Sequence, residues 1–391
     1  MSSPVLIVGG GIAGLCTAIA LSDKSIPCTV FERNQFEDTT GTGIQLSPNA
    51  TRLLFRAGLK KALLDMGRVS TKLVTRHWRT GRVTSYIPLG QIVDRYCDSP
   101  YLQILRSELV QILLIRARSC DCIELRPNES IETFEQLPTS ASVLSNRGEY
   151  EGILVVGADG ARSTIRKKMG LIPDPPFSTW HAWRTTINLD SNSEALSQTT
   201  LWCGHRAHVV TYPVDCQGTI NCVFITKSNS LLRESWRQEG TVSDLQNCLS
   251  GWHTKVFELV DQIDESRLFR WGLYRHDKTS GRWSDGRCSL VGDAGHCVLP
   301  FLAQGAALAI EDSFTLAGCV HNLLDNIPKA LRNYETARLS RTKSIQRRSA
   351  RLGYVYHLGP PFSWLRDVGA KWAVHDIVRN IYAYENIDIS N

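Results

Sequence analysis

The sequence predicts an α/β protein. A Rossmann-like dinucleotide-binding domain joins a second domain on a mixed, largely antiparallel sheet and a C-terminal helical segment. Three observations carry this expectation. An apolar run at the N-terminus enters a GGGIAG turn, a helix and a second short strand. Two later apolar runs, GILVVGADG at 152–160 and SLVGDAG at 289–295, also end in Gly- and Asp-rich turns. Between them, from 173 to 270, short strand-like segments recur with polar turns.

The first element is the most specific. Residues 5–8 are apolar and β-branched, as a doubly covered parallel strand requires. Gly9 permits the tight turn, Gly11 lets backbone approach a pyrophosphate, and Gly14 allows close helix–strand packing. The second strand, 28–31, ends at Glu32 with Arg33 beside it, 18 residues after Gly14. There a carboxylate reaches ribose hydroxyls. The fingerprint does not separate FAD from NAD.

Along the chain, GTGIQLSPNATRLL at 41–54 reads as a loop before a helix that Ser47 or Asn49 would cap. Residues 71–87 suit a hairpin turning at Thr80-Gly81-Arg82. A helix within 101–118 opens at Arg106, where a cation opposes the helix dipole unless an anion lies nearby. Strands are expected at 183–189, 199–202, 207–213 and 219–226, a helical cover at 231–262, and a return to the first domain at 270–274. Residues 289–291 read as a buried strand. Gly292-Asp293 follows, and a helix from Pro300 carries Ala306, Ala307, Ile310 and Phe314 at helical spacing. From Asn333 a helical tail closes the chain. The expected division is 1–75, 99–172 and 270–332 for the dinucleotide-binding domain, 76–98 for a hairpin beside the substrate, 173–269 for the substrate domain, and 333–391 for C-terminal helices.

Composition excludes several classes. Among 391 residues, 42% are apolar and 21% charged, as in ordinary globular proteins. No stretch reaches the ~18 apolar residues of a membrane span. A net charge of +6 without aromatic interleaving gives no nucleic-acid footprint. The basic run Arg338, Arg341, Lys343, Arg347, Arg348 and Arg351 is expected to be a solvated helix face. Twelve scattered cysteines suggest reduced thiols in a cytoplasmic protein. No His, Asp or Glu cluster has metal spacing, and no Gly-x-Ser-x-Gly elbow is present.

The segment 289–312, with Gly292-Asp293, His296, Pro300, Gln304-Gly305 and Glu311-Asp312 in register, resembles the GD motif of the group A flavoprotein monooxygenases. These are the aromatic hydroxylases related to salicylate and para-hydroxybenzoate hydroxylase. WRTTI, AHVVTYP and RWGLYRHD extend the resemblance over nearly the whole chain, which departs from the family at Gly295 and Cys297. It implies tightly held FAD, with NADH or NADPH binding transiently. The FAD contacts would be Gly9, Gly11, Gly14, Glu32, Arg33, Gly43, Ile44, Arg106, Asp159, Asp293, Pro300, Gly305 and Ala306. It further implies hydroxylation by O2 through a flavin C4a-hydroperoxide, with salicylate (giving catechol and carbon dioxide) or a hydroxybenzoate as substrate.

His208 and Tyr212 lie four apart on an expected strand, hence on one face, and resemble the pair contacting the substrate's phenol oxygen. Gln304 would hold the substrate or flavin edge, and Arg184 or Arg82 the substrate carboxylate. The rival readings are a quinone or lipid-ring monooxygenase and a non-hydroxylating flavin sensor. A monomer or homodimer with no nucleic-acid partner and no membrane span is expected.

Overall fold

The computed structural model describes residues 3–37, 42–171, 177–190, 192–227, 238–274, 282–359 and 362–385. A six-stranded sheet forms the base. Its order is Ser284–Asp285, Cys288–Leu290, Leu154–Gly157, Val5–Val8, Cys28–Phe31 and Ile123–Arg126. All neighbours are parallel except the edge pair of Ser284–Asp285 with Cys288–Leu290. Val5–Val8 is wholly buried, which is why its sequence is uniformly apolar rather than alternating. The chain passes from Val5–Val8 to Cys28–Phe31 on one side, and Leu154–Gly157 lies on the other. That reversal of strand order is where an α/β sheet opens a crevice.

The helices Ile12–Ser22, Arg106–Arg118 and Gly305–Asn322 pack over the sheet through Leu15, Ile19, Leu109, Leu113, Ala307 and Ile310. A second, eight-stranded sheet lies above the crevice. Its order is Gln238–Glu239, Phe269–Tyr274, Phe177–Asn188, Thr219–Lys227, Ala207–Pro213, Thr199–Gly204, Leu73–His77 and Val83–Ile87. Only Thr199–Gly204 with Leu73–His77 is parallel. One face, carrying Trp183, Val209 and Phe224, packs against Leu245, Leu249 and Val256 of the helices Val242–Cys248 and Thr254–Val260. The opposite face looks toward the first sheet, since Ala182 and Ile225 pack on Leu299 and Phe301.

Four expectations need correction. The helical cover is not continuous over 231–262. Gln238–Glu239 is a strand and two separate helices follow, broken at Gly251, whose φ of +79° ends the first one's C-terminal turn; residues 231–237 lie outside the described residues. The helix does not start at Pro300. Pro300–Leu302 is one 3-10 turn, Ala303 takes a left-handed φ of +52°, and the α-helix runs Gly305–Asn322. Residues 270–274 pair with Phe177–Asn188 inside the eight-stranded sheet, and the rest of the RWGLYRHD motif, 275–277, lies outside the described residues. Finally, the basic run is not simply a solvated face. Arg338 and Arg341 of the long helix Ile327–Tyr356 are buried against Gly305–Asn322.

The twelve cysteines are free thiols, most of them buried. Among the described residues no helix is long and apolar enough to cross a membrane, and no group of metal-ligating side chains is found.

Candidate active site

The three glycine-bearing turns meet at the crevice. Gly9 adopts φ +109°, and a methyl there would lie 2.5 Å from the Ala158 carbonyl oxygen and 3.0 Å from Asp159 Cα. A methyl on Gly14 would stand 1.8 Å from the Gly9 carbonyl, so strand and helix touch only because both lack side chains. One on Gly292 would meet Ala13 and Ala309 at 3.5 and 2.9 Å. Gly11 differs: a methyl there would meet only Arg106 Nη2, at 4.0 Å, and project into open cleft. This cradle fits a dinucleotide's pyrophosphate.

Charged groups line the same cleft. Glu32 Oε2 accepts the Gly10 N–H at 2.8 Å. Arg33 is exposed beyond it. Asp159 Oδ2 accepts the N–H groups of Thr164 and Ile165 at 2.7 and 3.3 Å, while buried Oδ1 lacks a well-formed hydrogen bond. Burial raises this carboxyl's pKa, opposed by Ser163 and the backbone N–H groups. Asp293 and Arg106 keep exposed surface yet are ringed by protein atoms, as the walls of a deep cleft are. That crowding pushes the Asp293 carboxyl up against the pull of His296, Arg106 and Arg184. It pushes Arg106 down against the fields of Asp293 and Glu32. The helix dipole's objection to a cation at Arg106 is thus met by two facing carboxylates.

The turn from Gly43 to Asn49 joins both layers. Gly43 N–H donates to Asn221 Oδ1 at 2.6 Å, and a methyl on Gly43 would meet Asn221 Cβ at 2.6 Å and Val214 Cγ1 at 2.7 Å. Gly43 is therefore a glycine so that the upper sheet can sit on it. Ile44 packs into the lower core. Gln304, at the N-cap of Gly305–Asn322, donates to Ser47 Oγ at 2.7 Å and accepts from Asn49 at 3.1 Å. Both ends of this buried amide are committed to the protein. Pro300, Gly305 and Ala306 remain partly open beside the cleft.

The inward face of the upper sheet is fixed by register. Ala182, Ile225 and His208 form one cross-strand row, Arg184, Val223 and Val210 the next, and Thr186, Asn221 and Tyr212 the third. His208 and Tyr212 thus share a face with Arg184, whereas Arg82 is exposed on the hairpin turn. His208 is buried among Phe301, Tyr356 and His357, with ring centroids at 5.6, 5.3 and 5.0 Å. Burial drives its pKa well below the usual range, helped by His357.

Tyr212 is buried and its phenol is pushed above its ordinary value, eased only by Arg184. Arg184 has an unpaired, buried Nε and feels the fields of Tyr212, Arg106 and Asp293. Tyr101, which donates to Gln45 at 3.0 Å, and Tyr382, with centroids 5.4 Å apart, close the wall. His296 is buried edge-on to Trp283, with Nε2 2.7 Å from Asp312 Oδ2 but off the N–H line.

Residues missed from sequence are those the long C-terminal helix sends under the site. Gln346 donates to the Cys297 carbonyl at 3.1 Å and Ser349 to the Leu299 carbonyl at 2.6 Å. Their three-residue spacing with Gly353 four further on was the available signal.

A family model described as an FAD binding domain matches residues 2–349. The chain belongs to that family, among its FAD-dependent aromatic monooxygenases. A curated relative, 3-amino-4-hydroxybenzoate 2-monooxygenase PtmB3 of Streptomyces platensis, is 33% identical over 93% of this chain and 91% of its own. 3-Hydroxybenzoate 6-hydroxylase of Polaromonas naphthalenivorans is 29% identical over 90% and 88%. The crystal structure of Klebsiella pneumoniae HpxO with FAD and uric acid superposes with a TM-score of 0.83 at 23% identity, over 97% and 96% of the two chains. That likeness concerns the fold.

Proposed function

We propose that the chain hydroxylates a phenolic benzoate, a hydroxybenzoate or salicylate, with NADH or NADPH as the transient reductant. The observation that carries this reading is the inward row-by-row placement of His208, Arg184 and Tyr212 over the cleft walled by Gly11, Arg106 and Asp293. The names of the curated relatives, both acting on hydroxybenzoates, support the substrate class. FAD, when bound and reduced, supplies the activated oxygen.

The protein's own residues do the rest. Gly9, Gly11 and Gly14 admit the pyrophosphate, Glu32 and Arg33 flank the adenosine end, and Asp159 and Asp293 offer carboxylates to sugar-like hydroxyls. Gly43, Ile44, Pro300, Gly305 and Ala306 frame the flavin ring, and Gln304 acts by fixing Ser47 and Asn49. Arg184 pairs with the substrate carboxylate, satisfying its orphaned Nε. Tyr212 stays protonated and donates to the phenol oxygen. His208, held neutral by burial, takes the phenol proton and makes the ring electron-rich. Tyr101, Phe301, Tyr356 and Tyr382 keep water out.

The test is a purified holoprotein given salicylate, 3-hydroxybenzoate, 4-hydroxybenzoate and 3-amino-4-hydroxybenzoate with each nicotinamide nucleotide. Mass spectrometry then scores products. Oxygen incorporation without loss of carbon selects a hydroxybenzoate, and catechol with carbon dioxide selects salicylate. Protein without flavin, or nucleotide oxidation yielding peroxide alone across the panel, overturns the proposal. Peroxide alone would favour the quinone, lipid-ring or sensor alternatives, whereas a protein without flavin would exclude those as well.

A further inference from the structure

His208 does not stand alone. Its Nδ1 lies 2.9 Å from Nε2 of His357, just past the end of the long helix Ile327–Tyr356, and His357 Nδ1 lies 2.5 Å from the Gly353 carbonyl oxygen. A carbonyl oxygen only accepts, so His357 Nδ1 carries the hydrogen and its Nε2 carries the lone pair. His208 Nδ1 must then donate to that lone pair. The remaining nitrogen, His208 Nε2, is left with its lone pair free, and among the described residues it has no hydrogen-bond partner.

We propose that His357 is a positioning residue that sets the tautomer of His208, so that Nε2 of His208 is the atom that receives the substrate's phenolic proton. This rests on the reading of His208 as the proton acceptor. In the step, the phenol O–H bond breaks with its electron pair staying on oxygen, and an N–H bond forms at His208 Nε2. The resulting imidazolium can share its Nδ1 proton with the lone pair on His357.

The surroundings are built to hold the pair in this state. His357 is stacked on Trp180 at 4.1 Å and 25°, with Phe301 edge-on at 5.9 Å and 74°. A methyl on Gly353 would stand 2.5 Å from Phe301 Cε2, so its bare Cα lets the helix end come close enough for His357 to reach His208. Both rings are neutral at physiological pH. Burial lowers His208 well below the usual range and His357 to about 4, and Arg366, His205 and Lys227 further disfavour charge on His357. Gly353's carbonyl pulls His357 the other way without reversing the shift.

The test uses holoprotein labelled with nitrogen-15 histidine. In the wild type, His208 should resonate as the Nδ1–H tautomer with a bare Nε2. His357→Phe should give mixed tautomers at His208 and lower kcat about tenfold to a hundredfold, with flavin content retained and KM little changed. His357→Gln, whose amide oxygen can accept from His208 Nδ1–H, should restore the tautomer and most of kcat; a merely space-filling role would not respond this way.

A wild-type spectrum with hydrogen on His208 Nε2 overturns the proposal, and decides the matter even should His357→Phe fail to fold. So does His357→Phe with unchanged kcat and His208 tautomer. If instead His208→Ala turns over normally, the reading of His208 as base falls, and the tautomer spectrum still judges the pairing on its own.

Discussion

Arg184 shows how a residue's place on a pleated surface decides its meaning. From sequence it stood level with Arg82 as a partner for a carboxylate. Strand register puts Arg184 inward, between the rows of His208 and Tyr212, and leaves Arg82 exposed on its turn. A charge-assisted hydrogen bond contributes about 1.5–3 kcal/mol, so Arg184→Ala should raise KM for benzoate substrates roughly tenfold to a hundredfold, measured by steady-state kinetics. Arg82→Ala should leave KM unchanged; equal effects would remove Arg184 from the carboxylate site. Tyr212→Phe should keep its flavin and lose turnover, because only the hydroxyl is deleted from a well-packed wall; undiminished substrate-dependent nucleotide oxidation would reject its role. The glycines of the first turn and the spacing of His208 and Tyr212 were legible because each rests on local backbone geometry. The commitment of Gln304 was not, since its partners Ser47 and Asn49 lie 257 and 255 positions away.

At the scale of elements, the long helix Ile327–Tyr356 overturned its reading from sequence. Charge at 338 and 341 looked like a wet surface, yet Arg338 donates to Glu311 at 2.6 Å and to Asp312 at 2.7 Å, and Arg341 donates to Glu311 at 2.8 Å, all in the buried seam with Gly305–Asn322. Burial alone would raise both carboxyls; the arginines hold Glu311 down, and His296 with Arg338 holds Asp312 down. A charge run carries no mark of its partner until two helices are known to pack. Asp312 also accepts the Gly292 N–H at 2.9 Å, and Asn49 donates to Glu311 at 2.6 Å, so the seam fixes both turns bordering the cleft. Removing one partner of a buried pair costs about 3–5 kcal/mol. Arg338→Ala should therefore lower the thermal midpoint markedly and weaken FAD retention together. Arg347→Ala on the exposed side should do neither; matching midpoints for the two variants would show the seam to be unimportant.

Across the whole molecule, the neutral buried histidines predict how acid acts. His181 accepts from Arg270 at 2.8 Å through Nδ1, and burial, then Arg270, lowers its pKa to about 4; His357 is lowered to about 4 as well. An unfolded chain binds a proton at each site below about 6.5, while the native state refuses it until about 4. The unfolded state therefore holds more protons in that window, and stability falls as pH drops from about 6.5 toward 4, by at most about 1.4 kcal/mol per pH unit for each group. Glu311 and Asp312, whose pKa values are lowered, lose their contribution only below the ordinary carboxylate range. Asp159 and Asp293, raised by burial, act in the opposite sense to the histidines. A raw pH–stability curve mixes these signs, whereas a difference between two proteins cancels what they share. Gln at 181 keeps an acceptor for Arg270 but cannot titrate, so the stability of wild type relative to His181→Gln should be constant above about pH 7 and should decline steadily between about 6.5 and 4. Denaturant unfolding of the two holoproteins at each pH would measure it, and a difference that stays flat through that interval would mean that His181 is already charged in the folded sheet.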